Sequence, residues 1–150
     1  MNFEHGAILI VSAGPVGLIL AWRLAPAGLP VQIFEADIEI ADQLQASTFH
    51  PPTFDYFDAS EITAKLNKAG RITPTWQVRM HVLGEKAEFD LRDLAEDTEH
   101  PYHLQYRQTI LSEALADESP RDALHFGALS TEVFQDDKSV SVKLNNEFIR

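Results

Sequence analysis

The sequence predicts an α/β fold that begins with a strand, a glycine-containing turn, a helix and a second strand. Residues 7–11 (AILIV) form a short apolar run with the length of a buried parallel strand. The turn at residues 12–17 (SAGPVG) follows, and Pro15 has the backbone angle that suits the first turn of a helix. Residues 30–35 (PVQIFE) have the pattern of the second strand. A β-turn-α-β unit therefore occupies about the first 35 residues.

The helix of this unit is predicted from the spacing of its apolar residues. It should run to about residue 25, where Pro26 and Gly28 end it. Its buried face is expected to carry residues at helical spacing, namely Leu18, Ala21, Trp22 and Ala25.

The rest of the chain predicts an antiparallel β excursion and more α/β structure. Residues 37–70 have a polar helical pattern that Pro51-Pro52 interrupts. Residues 75–83 and 86–91 should form an antiparallel pair joined near Gly84. A helix is expected over residues 107–116, with its buried face formed by Ile110, Leu111, Ala114 and Leu115. Three short strands should follow, at residues 123–126, 131–135 and 140–144, with Asp136-Asp137 as the last turn.

Charge and composition exclude several classes of partner and site. The formal net charge of −11 opposes binding to nucleic acid or to anionic membrane surfaces. The chain has no cysteine, which excludes disulfides and thiolate chemistry. The apolar stretch at 7–25 lacks a positively charged flank and is broken at Gly14-Pro15, so neither a signal peptide nor a membrane span is expected. We therefore expect a cytoplasmic protein.

The turn at residues 12–17 is the strongest candidate for a binding site. Backbone N–H groups at a helix start attract phosphate, and a glycine at position 14 would let the ligand approach closely. Gly17 would let the helix pack against the strand, and Glu35 could accept hydrogen bonds from ribose hydroxyls. Ser12 stands where the first glycine of this motif belongs. The turn alone is also compatible with an α/β fold that binds no ligand.

Several separated motifs resemble the class A flavoprotein monooxygenases, the family of para-hydroxybenzoate hydroxylase, many of which act on phenols and aromatic polyketides. The motifs are VSAGPVGL at 11–18, FEAD at 34–37, ASTFHPPT at 46–53, GEKAEFDL at 84–91 and HPYHLQYRQ at 100–108. They occur in the family's order along nearly the whole chain. The resemblance implies a Rossmann-like FAD-binding fold.

The same resemblance implies roles for individual residues. Gly14 and Gly17, with Pro15 between them, would serve the FAD pyrophosphate, and Glu35 the adenosine ribose. Gln108 would hydrogen-bond the flavin side of the cofactor, and residues 46–50 would line the flavin region.

Three residues depart from the family pattern. Ser12 adds a side chain where the backbone crowds the cofactor. Gln45, counted here among the cofactor-binding residues, stands where the family usually has an arginine, and it supplies no charge to the pyrophosphate. Pro26 is expected in the last turn of the first helix, where it would remove one hydrogen bond.

The resemblance implies an oxidoreductase in which the cofactor carries the chemistry. Residues 1–150 are interpreted as the N-terminal part of an FAD-binding domain, without the later FAD-binding segments and most of the substrate domain. The complete enzyme would hydroxylate an aromatic substrate with NAD(P)H and O2, and this chain alone is expected to be inactive. Two alternatives stay open: an inactive, truncated nucleotide-binding remnant, and a flavin reductase or halogenase.

No catalytic side chain and no metal site is predicted. The scheme needs no acid, base or nucleophile from these residues, because the flavin performs the difficult step. His100 and His103 are three residues apart, but no third and fourth metal ligand can be named. The acidic stretch at 93–99 and the pair at 136–137 are interpreted as solvated loops.

Overall fold

The chain, described by a computed structural model, forms two compact units. The first unit comprises Met1–Gln43 and Ser112–Arg150, and the second comprises Leu44–Leu111. The residues that the structure describes are 6–42, 46–57, 61–84, 86–145 and 147–149.

The strands in chain order are β1 (Ile8–Val11), β2 (Val31–Phe34), β3 (Thr48–Phe49), β4 (Arg71–Thr73), β5 (Thr75–Arg79), β6 (Lys86–Asp90), β7 (His103–Gln105), β8 (Leu124–His125), β9 (Ser130–Gln135), β10 (Val140–Leu144) and β11 (Glu147–Ile149). The α-helices are α1 (Pro15–Leu24), α2 (Pro51–Phe57), α3 (Ile62–Ala69) and α4 (Gln108–Glu118).

A parallel sheet in the order β1-β2-β8 organises the first unit. Strand β1 runs parallel to β2 and helix α1 connects them, so the predicted β-turn-α-β unit is confirmed. Strand β1 is less buried than its apolar sequence predicted, because within the described residues β2 is its one neighbour in the sheet. The side chain of Ile10 is buried, whereas Val11 is 50% exposed.

Helix α1 covers this sheet with the face that the apolar spacing predicted. Leu18 and Ala21 are fully buried, and Trp22 is half-buried. The helix ends at Leu24 and a 3-10 turn, Ala25–Ala27, follows it. Pro26 lies in that turn, so its predicted place inside the last turn of the helix is wrong. Gly28, in the left-handed region, ends this 3-10 turn, so the predicted stop at Pro26 and Gly28 lies just beyond the end of α1.

An antiparallel sheet in the order β11-β10-β9 completes the first unit. The predicted turn between β9 and β10 is confirmed, since the Asp136 carboxylate accepts hydrogen bonds from the N–H groups of Lys138 and Ser139. Strand β11 was not predicted. Apolar side chains of the two sheets share one core cluster, formed by Leu9, Phe34, Ala128, Val142 and Leu144.

The second unit contains an antiparallel sheet in the order β3-β7-β4 and a separate pair, β5 with β6. The β5–β6 pair is the predicted antiparallel excursion, and Trp76 stacks on Phe89 across it. The predicted helical pattern over residues 37–70 is wrong in part, because residues 35–42 are irregular and β3 lies at 48–49. Pro51 begins α2 and does not interrupt a helix, since proline fits the first helical position.

Helix α4 starts at Gln108 in the second unit, and from Ser112 onward it belongs to the first. The predicted helix over 107–116 is therefore confirmed with an extension to Glu118. Leu111, Ala114 and Leu115 are buried as the periodicity predicted.

Candidate cofactor-binding site

The turn from β1 into α1 has the geometry of a helix start that presents backbone N–H groups. Gly14 is the N-cap residue in an extended conformation, with φ −69° and ψ 171°, and Pro15 is the first helical residue. The Leu18 N–H donates to the Gly14 carbonyl at 3.0 Å, which closes the first turn. The N–H groups of Val16 and Gly17 belong to the turn that has no partners inside the helix. Among the described residues they have no other hydrogen-bond acceptor, so they can serve a bound anion.

Gly17 is required by the close approach of α1 to the end of β1. A Cβ atom on Gly17 would lie 2.2 Å from the Ser12 carbonyl oxygen and 3.1 Å from Cγ2 of Ile10. The predicted packing role of this glycine therefore follows from the backbone. Gly14 differs, because a Cβ there would meet only Ser12 Oγ, at 3.4 Å, among the described residues. Its missing side chain leaves open space at the mouth of the turn, where a ligand could approach the backbone.

Glu35 directly follows β2 and lies beside the turn. Its backbone is fixed on both sides, since its N–H donates to His125 and its carbonyl accepts from Ala128. One carboxylate oxygen accepts the N–H of Ala13 at 2.6 Å, and the other accepts that of Asp37 at 3.1 Å. The acidic side chain is therefore held at the carboxyl end of the sheet, where the sequence placed it. An ionised carboxylate has further lone pairs for ribose hydroxyls.

Ser12 occupies the position of the missing first glycine in an unusual conformation. Its φ is +95°, in the region that glycine enters freely and other residues rarely enter. Its N–H donates to the Phe34 carbonyl at 2.8 Å. Its hydroxyl oxygen lies 3.2 Å from the Gly14 nitrogen and 3.4 Å from Oε2 of Glu35. The serine thus adopts the backbone of a glycine turn and fills part of it with its hydroxyl.

The segments that form the turn and the end of β2 carry no basic side chain. Residues 6–22 and 31–37 contain no lysine or arginine. A phosphate at this turn would depend on N–H groups and on the dipole of α1.

Four of the six predicted cofactor-binding residues, Gly14, Pro15, Gly17 and Glu35, come together in the first unit. Gln108, half-buried at the start of α4, belongs to the second unit. Gln45 lies outside the described residues. In the region 46–50, strand β3 pairs with β7. The FAD contacts expected of all these residues stay predictions.

Sequence reasoning missed a cluster of rings around the β3–β7 pair. Phe49 stacks on Tyr106 with 4.3 Å between ring centroids, and His50 Nδ1 lies 3.0 Å from His103 Nε2. Burial and the neighbouring His50 lower the pKa of His103, and burial raises the pKa of Tyr106. These contacts join residues more than fifty positions apart, and strand β7 was not predicted. The motifs at 46–53 and 100–108 were the only feature of the sequence that indicated a functional role for both segments.

The described part of the chain offers neither a membrane span nor a metal site. No helix in it is long and apolar enough to cross a membrane. No group of three or more histidine, aspartate or glutamate side chains in it is arranged to hold a metal ion.

Comparison with known proteins connects this geometry to flavoenzymes. The chain is 29% identical over 143 residues to para-nitrophenol 4-monooxygenase of Pseudomonas sp. strain WBC-3, which covers 93% of this chain and 35% of that protein. It is 33% identical over 108 residues to 6-hydroxy-3-succinoylpyridine 3-monooxygenase of Pseudomonas putida. That alignment covers 72% of this chain and 28% of the relative. The chain thus spans about a third of the length of these curated relatives.

A solved structure shows the same fold. The crystal structure of p-nitrophenol 4-monooxygenase from Pseudomonas putida DLL-E4 superposes with a TM-score of 0.84 at 27% identity, over 99% of this chain and 39% of that one. The sequence model of the family described as "FAD binding domain" matches residues 6–147. Because that match covers nearly the whole sequence, this chain belongs to the FAD binding domain family and is homologous to flavin-dependent aromatic monooxygenases.

Proposed function

We propose that the chain binds the ADP half of FAD at the β1–α1 turn and forms part of a monooxygenase that acts on aromatic compounds. The single observation that carries the proposal is the turn itself, where Gly14 leaves open space in front of a helix start and Glu35 is fixed beside it. A family match over residues 6–147 supports FAD as the ligand.

The residues of the turn fit this half of the cofactor. The N–H groups of Val16 and Gly17 would face the pyrophosphate, because they lie in the first turn of α1. Glu35 would accept hydrogen bonds from the ribose hydroxyls while it keeps its own bonds to the backbone of the turn. Gln108 and residues 46–50 are proposed for the flavin half on the resemblance alone.

The protein's part in the reaction is binding, orientation and exclusion of water. When bound, FAD would supply the redox chemistry, taking electrons from NAD(P)H and activating O2 for transfer to the ring. The relatives are named for p-nitrophenol and for a hydroxylated pyridine, which support an aromatic substrate carrying a hydroxyl group. That substrate class and NAD(P)H belong to the proposal for the complete enzyme.

A second candidate function is a nucleotide-binding module without catalysis. The observation that favours it is Ser12, whose side chain partly occupies the turn. Both candidates share the turn, so they differ in whether the chain also binds the flavin half of the cofactor.

Titration of the protein with FAD, followed by quenching of flavin fluorescence at fixed ionic strength, tests the proposal. The wild-type chain should bind FAD saturably, and Gly14→Ala should weaken binding about tenfold or more, because a new methyl group blocks the approach of the pyrophosphate. Gly14→Ala should leave thermal unfolding nearly unchanged, since its Cβ meets only one atom at van der Waals distance. Equal FAD affinity of the two proteins would contradict the proposed site.

The two candidate functions are separated by a second measurement on the same samples. Binding of FAD is compared with binding of ADP, which lacks the flavin. Tighter binding of FAD than of ADP supports the monooxygenase part, because Gln108 and residues 46–50 would then contribute contacts to the flavin half. Equal affinity for the two ligands supports the nucleotide-binding module.

A further inference from the structure

Ser12 adopts a strained backbone conformation in the β1–α1 turn, and its surroundings must compensate for this strain. Among the described non-glycine residues, positive φ occurs at Ser12 and at Asn145. Asparagine tolerates this region, whereas serine does so less readily. A residue held in such a conformation persists only when its surroundings determine it, and such residues concentrate at binding sites.

Three hydrogen bonds hold Ser12 in this conformation. Its N–H donates to the Phe34 carbonyl at 2.8 Å. Its hydroxyl accepts from the Gly14 N–H at 3.2 Å and donates to the Glu35 carboxylate at 3.4 Å. Two of these bonds use the side chain, so the hydroxyl connects the N-cap of α1 to the acid after β2. A glycine at position 12 could make only the first bond.

The Ser12 hydroxyl occupies one of the backbone N–H donors that a phosphate could use. The Ser12 N–H serves the sheet, and the Ala13 N–H serves Glu35. Pro15 has no N–H. This leaves the N–H groups of Gly14, Val16 and Gly17 for a phosphate, and the Ser12 hydroxyl accepts the first of them. One of three available donors is therefore already used inside the protein.

We propose that the Ser12 hydroxyl competes with the cofactor phosphate for the Gly14 N–H, and that Ser12 thereby sets a low affinity for FAD. This inference rests on the proposed function of the turn. A phosphate oxygen that approaches the Gly14 N–H must displace the hydroxyl, which then keeps only its longer bond to Glu35. The serine acts as an internal substitute for the ligand, and the turn keeps its shape when no nucleotide is bound.

Three substitutions separate the hydroxyl from the strained backbone. Ser12→Ala removes the hydroxyl and keeps a Cβ atom, so the Gly14 N–H becomes free while φ stays unfavourable. Ser12→Gly frees the same N–H and also relieves the strain. Ser12→Asn relieves strain, because asparagine tolerates positive φ, but its side-chain oxygen can still accept from the N–H two residues later. Ser141→Ala in β10 serves as the matched control, since it removes a serine hydroxyl from another sheet of the same unit.

Binding of FAD and of ADP is measured for wild type and the four variants by titration, with thermal unfolding as the test of folding. The Ala and Gly variants should bind both ligands about three- to tenfold more tightly, the gain expected when one more N–H donor reaches a phosphate. Ser12→Asn and Ser141→Ala should bind no more tightly than wild type. ADP is included because it carries the pyrophosphate without the flavin.

Two other results would overturn the inference. If wild type binds FAD and Ser12→Ala binds it equally or more weakly while folded, the hydroxyl does not compete, although the proposed function stands. If neither wild type nor Ser12→Gly binds FAD or ADP, the proposed function fails together with the inference. Amide hydrogen exchange gives a readout that needs no ligand, because Gly14 should exchange faster in Ser12→Ala than in wild type.

Discussion

Polar side chains have different hydrogen-bond partners in the β1–α1 turn of the first unit and in the β3–β7 pair of the second unit. In the turn, the polar side chains bond mainly to backbone: Glu35 accepts from two N–H groups and Ser12 from a third, beside one longer bond between the two side chains. At β3–β7, side chains meet side chains, as in the contact between His50 and His103. The hydroxyl of Tyr106 is buried there without a hydrogen-bond partner among the described residues.

Because of this difference, the two regions should be sensitive to different kinds of substitution. Where α1 approaches the end of β1, at Gly17, the backbone leaves no space for new atoms, so added volume there should be the most damaging change in the first region. The second region contains a buried hydroxyl without a described partner and two histidines in contact. Its stability should therefore change when a hydroxyl is removed or when the pH changes.

Gly17→Ala should be the most destabilising of these changes. The new Cβ would lie 2.2 Å from the Ser12 carbonyl oxygen, which is backbone and cannot rotate away. We expect the free energy of unfolding to fall by about 3 kcal/mol or more, measured by urea denaturation. Gly14→Ala, with its nearest contact at 3.4 Å, is the control and should lose less than about 1 kcal/mol. Equal losses would show that α1 does not approach β1 as described.

Glu35→Gln should weaken FAD binding about tenfold with a smaller effect on stability. An amide oxygen can accept one of the two backbone N–H bonds, but it carries no charge and its NH2 group faces the other donor. A loss of charge-assisted bonding of about 1.4 kcal/mol corresponds to the tenfold change in the dissociation constant. Glu39→Gln, at an exposed position in the following loop, is the control. If both variants bind FAD like wild type, Glu35 does not contact the cofactor.

Tyr106→Phe should leave stability unchanged or raise it by about 1 kcal/mol. The substitution removes a buried hydroxyl without a partner and keeps the ring that stacks on Phe49. Tyr102→Phe is the matched control, since its hydroxyl accepts from the Asn67 amide at 2.8 Å. That variant should lose about 1 kcal/mol. Clear destabilisation by Tyr106→Phe in urea denaturation would mean that its hydroxyl has a partner, such as a buried water.

The smallest expected effect is a pH dependence at His103. Burial and His50 lower its pKa in the folded protein below that of the unfolded chain. The unfolded chain therefore binds more protons between the two pKa values, and the free energy of unfolding rises with pH there. The stabilisation is complete above the unfolded pKa, near 6.5, and is lost as pH falls through the folded pKa.

His103→Gln should flatten this pH dependence in urea denaturation series, while the exposed His81→Gln should not. Because burial also lowers the pKa of His125 in the first unit, a slope of the same sign remains in the variant. An unchanged slope in His103→Gln would contradict the described burial of the imidazole.

The sequence predicted the turn well because its determinants are local. Pro15 at the first helical position, Gly17 at the close approach and Glu35 after the second strand follow from motif spacing and from the βαβ topology. The Ser12 substitution was visible, but its positive φ and its bond to Gly14 required coordinates. Sequence propensities do not predict that a serine adopts a positive φ, which is usually found at glycine.

The second unit was predicted less well because its structure depends on pairing between distant segments. Strand β3 has two residues and β7 has three, which is too short for a periodic pattern. Their register places Phe49 opposite Leu104, which no local signal specifies. The antiparallel pair β5–β6 was predicted because its two strands are close in sequence and Gly84 lies between them.

Amide NMR can show whether the backbone of the β1–α1 turn binds the cofactor. A 15N-labelled sample is titrated with FAD and the signals of the backbone N–H groups are followed. We expect the largest shifts at Gly14, Val16 and Gly17, with smaller shifts along α1. FAD binding that leaves these three signals unmoved, with shifts confined to other segments, would contradict this expectation.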